Sequence, residues 1–231
     1  MTVRKEQPFP VGTGCALWLC GEPTLLLVEP VDERDADLPS ETAALEQAGL
    51  SFALAAVPVA DWNRDLSPWP APPVFGRVPF AGGAQKTLDG LLSDVLPALT
   101  SRFPGVPAVL GGYSLAGLFA LWAATRTSAF AAVNAASPSV WYPDFLPYAQ
   151  AHPLRTRAVC LSLGDKEERA KNPVMARVGD CIRSLHALQS ERTPCTLDWN
   201  PGNHFQDAPG RTARGYLKCA AALGLPPTRA E

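Results

Sequence analysis

A serine acts as a nucleophile when the chain holds its hydroxyl out, a base lies within reach and donors await the charge that develops. The stretch Ala108-Val-Leu-Gly-Gly-Tyr-Ser-Leu-Ala-Gly-Leu-Phe-Ala-Leu-Trp122 has the residue types for the first requirement. An apolar strand runs into Gly112-Tyr-Ser114 and directly on into a helix. A turn this tight demands small neighbours, and Gly112 stands two before Ser114, Ala116 two after, with Gly117 next. Such a nucleophile elbow exposes the serine above the sheet edge at a helix N-terminus. The usual pattern has glycine where this chain has Ala116. An N-cap serine at an ordinary strand-to-helix junction is the competing account; the flanking glycines and the strand–turn–helix order favour the nucleophile.

The base follows by elimination, because the chain has only three histidines. His186 lies within a helical pattern and His152 at a helix end before Pro153, where structural roles suffice. His204, in Pro201-Gly-Asn-His-Phe205, follows the last apolar strand and is the candidate base for Ser114. A carboxylate would orient its imidazole, and Gly164-Asp-Lys-Glu-Glu-Arg169, after another strand, offers Asp165, Glu167 and Glu168. A charged surface turn is the alternative there. For the oxyanion, the Leu115 N–H is a donor by construction of the elbow. A second donor is expected from a loop after an early strand, Glu29-Pro-Val-Asp32, where proline has no N–H and Val31 is the candidate.

These groups need a scaffold that brings distant loops to one edge. Short apolar runs at Ala16–Cys20, Thr24–Val28, Phe52–Val57, Ala108–Gly112, Ala131–Ala135, Ala158–Leu163 and Thr196–Trp199 read as strands. Helical spacing marks Glu41–Ala48, Ala84–Ser101, Leu115–Thr125, Asn172–Gln189 and Gly210–Leu223. This alternation predicts an α/β fold with a mainly parallel central sheet and helices on both faces. The length of 231 residues suits one domain spanning 1–231. Between Asp61 and Gly83 the rhythm breaks into a Pro- and Gly-rich segment carrying Trp62, Trp69, Phe75 and Phe80. It reads as a loop, either one wall of a pocket or an aromatic cap on the core. Trp62 and Trp141, with Trp69, are candidate substrate contacts, since open α/β sheets bind ligands at their strand C-termini.

The set Gly112-Tyr-Ser-Leu-Ala-Gly117, Ser137-Pro-Ser-Val-Trp141 and Gly202-Asn-His204 resembles the esterase branch of the α/β-hydrolases. That branch includes esterase D, feruloyl esterases and enterobactin-type siderophore esterases. The resemblance covers roughly Thr24 to the C-terminus, and Ser-Pro-Ser-x-Trp is its most branch-specific part. It implies an α/β-hydrolase fold with the base on the loop after the last strand. It also implies ester cleavage through an acyl-enzyme, and an acid a few residues beyond the strand's terminal glycine, which favours Glu167. Some siderophore esterases use a Ser–His pair, so a dyad is the alternative.

Composition excludes other classes. A formal charge of -2 with scattered basic residues argues against nucleic acid as a partner. No apolar run approaches the roughly 20 residues of a membrane helix. The polar start lacks a secretory signal, so a cytoplasmic location is expected, with six reduced cysteines. The expected partner is a small-molecule ester, with no metal or cofactor; oligomeric state is not encoded legibly. A thioesterase or acyltransferase using the same residues, and a non-catalytic binding protein on a hydrolase scaffold, are the rivals.

Overall fold

Apolar runs long enough to cross a domain but too short for buried helices must pair with one another to satisfy their backbone groups. In the computed structural model, which describes residues 2–10, 13–32, 37–74 and 76–227, they do so in one large sheet. The strands are β1 (Arg4–Glu6), β2 (Ala16–Cys20), β3 (Leu25–Asp32), β4 (Phe52–Val59), β5 (Pro70–Ala71), β6 (Phe80–Ala81), β7 (Ala108–Tyr113), β8 (Ala132–Ala136), β9 (Ala158–Gly164) and β10 (Cys195–Asn200). Eight of them form the sheet in the order β1-β2-β4-β3-β7-β8-β9-β10, while β5 and β6 pair separately. Pairing is antiparallel at β1–β2–β4 and parallel from β4 to β10. The seven expected strands are all present, and β1 adds an edge.

The helices are α1 (Leu38–Gln47), α2 (Trp62–Asp65), α3 (Ala84–Gly90), α4 (Leu96–Arg102), α5 (Leu115–Arg126), α6 (Phe145–Ala151), α7 (Pro173–Ala176), α8 (Val178–Ser190) and α9 (Ala208–Ala222). Alternation along β3 splits the core in two. Leu26 and Val28 face the helices α3, α4, α5 and α8, while Leu25, Leu27 and Val31 join Leu38, Leu45 and Tyr216 of α1 and α9. Both faces are therefore covered, which is why β7, β8 and β9 read as continuous apolar runs.

Three expectations differ in detail. The run expected as Ala84–Ser101 is helical throughout but loosens into a π turn at Leu91–Val95 between α3 and α4. Pro97 has no N–H to give the Ser93 carbonyl, and the wider turn absorbs the missing bond. The run Asn172–Gln189 is two helices, α7 capped by the Asn172 side chain and then α8. The segment after Asp61 holds α2, capped by Asp61 on the Arg64 N–H, and the β5–β6 pair, so it is a folded excursion rather than a plain loop. Phe75 lies outside the described residues.

The turn from β7 to α5 is the most constrained point of the sheet edge. A Cβ on Gly112 would stand 2.5 Å from the Ala116 Cβ, and one on Gly111 would stand 2.6 Å from the Tyr216 hydroxyl. Ala116 fits where glycine is usual because Gly112 leaves room for its methyl. Gly112→Ala should therefore cost about 1–3 kcal/mol of unfolding free energy through overpacking, whereas Ala116→Gly should stay within about 1 kcal/mol. Urea denaturation of the two variants checks the ranking.

Candidate active site

Ser114 occupies the turn between β7 and α5 with φ 57° and ψ −115°. A non-glycine residue here carries about 1–3 kcal/mol of strain. The strain is held by hydrogen bonds on both sides: the Ser114 N–H to Ala136 O at 3.0 Å, and the Leu118 and Ser139 N–H groups to Ser114 O at 3.1 and 3.0 Å. The hydroxyl caps nothing on its own helix, so the N-cap account does not describe it. It meets two other groups, His204 Nε2 at 3.0 Å and the Ser139 hydroxyl at 3.3 Å.

His204 reaches the serine from the loop between β10 and α9. Its Nδ1 lies 2.7 Å from Glu167 Oε2. Glu167, in the short 3-10 turn after β9, is buried. Its other oxygen accepts from the Gly164 N–H at 2.8 Å, the Ser137 hydroxyl at 2.7 Å and Arg211 Nη1 at 2.9 Å. Burial pushes this carboxyl up. The hydrogen bond and charge of His204, with Ser137 and the Gly164 N–H, more than offset it and hold the group below its ordinary value of 4.5. Glu167 is a carboxylate at neutral pH.

The neighbouring acids have other partners. Asp165 accepts the Gly202 N–H at 2.8 Å, a tie across to the histidine loop rather than a bond to its own turn. Glu168 pairs with Arg183 at 2.9 Å. His186 lies on α8 against Cys195 O, and His152 stacks on Tyr148 at the end of α6. Of the three histidines, only His204 contacts Ser114.

Leu115 opens α5 directly after the serine, which places its N–H in the first turn. Val31 departs from expectation. Parallel pairing of β3 with β4 continues to Asp32↔Val59, so Val31 is a buried strand residue opposite Pro58 and not part of a loop. The stretch immediately after β3, residues 33–36, lies outside the described residues.

A cavity of about 770 Å³ opens over the serine. Trp62, Trp141, Met175 and Phe205 line it together with Ser114 and His204. Trp69 is elsewhere: its Nε1 donates to Pro143 O at 3.1 Å and its ring packs on Tyr142 and Tyr148. The two readings of the aromatic segment thus divide between Trp62 on the cavity and Trp69 in a core cap.

Sequence reasoning missed Arg211. Its side chain is fully buried, and Nη1 reaches Glu167, the Ser137 hydroxyl at 3.2 Å and the Tyr113 hydroxyl at 3.0 Å. Nη2 donates to Pro201 O and Asn203 O at 2.9 and 3.0 Å, and the Tyr113 hydroxyl donates to His204 O at 2.7 Å. One guanidinium therefore holds both the acid and the loop that carries the imidazole. The available signal was an arginine in helical register with Gly215 and Cys219 on the apolar stripe of α9.

Arg211→Met would leave the Glu167 carboxylate buried without its ion pair. Loss of one partner of a buried pair costs about 3–5 kcal/mol, and urea denaturation should show a fall of that size. A change under about 1 kcal/mol would mean that the pair does not organise the loop.

The sequence profile of the family described as "Putative esterase" matches residues 37–191. No curated protein sequence matches the chain. Among solved structures, an IroE-like serine hydrolase from Shewanella oneidensis superposes with a TM-score of 0.70 at 14% identity, covering 93% of this chain and 78% of that one. The siderophore hydrolase EstB from Aspergillus nidulans gives 0.66 at 20% identity, covering 94% of each. The enterobactin esterase FES from Shigella flexneri gives 0.64 at 18% identity, covering 96% of this chain but 59% of that longer one. At these identities the likeness concerns the fold. With its mostly parallel eight-stranded sheet, flanking helices and a family profile over more than half its length, the chain belongs to the Putative esterase family of α/β-hydrolases.

Proposed function

We propose that this protein is a serine esterase in which Ser114 is the nucleophile, His204 the general base and Glu167 the acid behind it. The observation that carries the reading is the unbroken line Ser114 Oγ–His204 Nε2–Nδ1–Glu167 Oε2, at 3.0 and 2.7 Å, on the lining of the cavity. Ser114 Oγ attacks the ester carbonyl carbon while His204 Nε2 takes its proton. The tetrahedral oxyanion is met by the Leu115 N–H at the start of α5. Collapse breaks the bond to the alkoxy oxygen, which receives the proton from His204 and leaves as the alcohol. Water, deprotonated by the same imidazole, then hydrolyses the acyl-serine and regenerates the hydroxyl. Glu167 stays ionised throughout; it fixes the imidazole tautomer and stabilises its positive form.

A fluorophosphonate probe should label the wild-type protein, and Ser114→Ala should abolish both labelling and ester turnover while the fold persists. His204→Ala should reduce turnover by about a thousandfold or more, since base and nucleophile act as a unit. Unchanged labelling of Ser114→Ala would remove the nucleophile assignment.

The acid is tested by ranking. Glu167→Gln should lower the maximal rate by about a hundredfold or more, because an amide neither enforces the tautomer nor balances the imidazolium charge. Asp165→Asn, which keeps an oxygen for the Gly202 N–H, should stay within about tenfold of wild type. The reverse order in steady-state kinetics would move the role to Asp165, and full activity in both would make the pair a dyad.

A further inference from the structure

The segment from Asp165 to Lys171 carries three acids and three cations, and the structure treats them differently. Each acid is committed: Asp165 to the Gly202 N–H, Glu167 to His204 and Arg211, Glu168 to Arg183. The cations Lys166, Arg169 and Lys171 are exposed and line the same cavity as Ser114. Among the described residues none of the three is within ion-pair distance of a carboxylate. The same cavity is lined by Trp62, Trp141 and a Phe205 ring that is 87% exposed beside His204. The exposed Phe205 ring gains nothing from burial where it stands, on a cavity it shares with cations that have no carboxylate partner among the described residues. It is well placed to receive a ligand that is apolar in body and negative at its margin. Charges beside low-dielectric aromatic walls also act more strongly than charges on an open surface.

We propose that the cavity selects esters whose aromatic or apolar body carries a negative charge, with Lys166, Arg169 and Lys171 reading the charge and Trp62, Trp141 and Phe205 the body. The inference rests on Ser114 being the nucleophile. The charge could lie on the alcohol or on the acyl side, and paired substrates separate the two. One pair is meta-carboxyphenyl butanoate and its neutral carboxamide; the other is phenyl hydrogen terephthalate and phenyl para-carbamoylbenzoate. For each, kcat/KM of the charged ester is divided by that of the neutral one, in wild type and in the triple variant Lys166→Gln, Arg169→Gln, Lys171→Gln. Intrinsic reactivity cancels when the two ratios are compared.

The wild-type ratio should exceed the variant ratio by about tenfold at low salt for at least one pair. In wild type alone, kcat/KM for that charged ester should also fall several-fold as salt rises to about 0.5 M, with little change for its neutral partner. The salt series reads the charge even if the variant folds poorly. Ratios within about twofold of each other in both pairs, or a flat salt series, would overturn the proposal while Ser114 still labels with fluorophosphonate. Absence of that labelling in wild type would overturn the nucleophile reading and this inference with it.

Discussion

A guanidinium removed from water has to find its acceptors inside the protein, and in this molecule that requirement falls on Arg211. Two backbone carbonyls of the histidine loop, two hydroxyls and the Glu167 carboxylate meet it, leaving only Nε without a hydrogen-bond partner among the described residues. These acceptors come from β7, the turn after β8, the turn after β9 and the loop after β10. A single charge thus spans the parallel half of the sheet edge. It adds a direct ion pair to the contacts of His204, Ser137 and the Gly164 N–H around a buried carboxylate, and it ties down the loop on which the imidazole stands. The Tyr113 hydroxyl, kept protonated as burial pushes its pKa up, extends the same network to the His204 carbonyl.

The Ser137-Pro-Ser-Val-Trp141 element explains itself in this setting. Ser137, at φ 44°, turns its hydroxyl to Glu167. Ser139 binds the Ser114 carbonyl through its N–H and faces the Ser114 hydroxyl with its own. Val140 enters the core and Trp141 forms a cavity wall. One pentapeptide therefore touches Glu167, Ser114 and the cavity. Such density of roles within five residues leaves little freedom of sequence.

The cavity holds two kinds of charge. Its lining includes Glu167 and His204, whose charges are paired, and the exposed cations Lys166, Arg169 and Lys171, which have no carboxylate partner among the described residues, together with the exposed Phe205 ring. A paired charge holds geometry and is nearly silent toward a ligand. An unpaired, exposed one is screened in the free protein and gains strength when an apolar ligand displaces water around it.

The sequence alone carried the strands, the elbow and the short list of bases, because these depend on local rules: apolar period, small residues around a tight turn, and a count of three histidines. Among the three acids of its segment Glu167 was favoured through the family resemblance, since no strong local rule says which carboxylate turns inward. That was decided by β10 lying beside β9 in parallel register, which brings Asn200 opposite Gly164 and the histidine loop over the 3-10 turn. The end of β3 was misjudged at Val31 because pairing with β4 extends the strand past Pro30, and strand length is a property of the partner as much as of the chain. The separate fates of Trp62 and Trp69 followed from packing against α6 and the turn before it. Arg211 was invisible as a functional residue because its meaning lies in five acceptors drawn from four distant segments. Sequence periodicity shows which face of α9 is buried; only the closed tertiary structure puts carbonyls, hydroxyls and a carboxylate around the one charge that face carries.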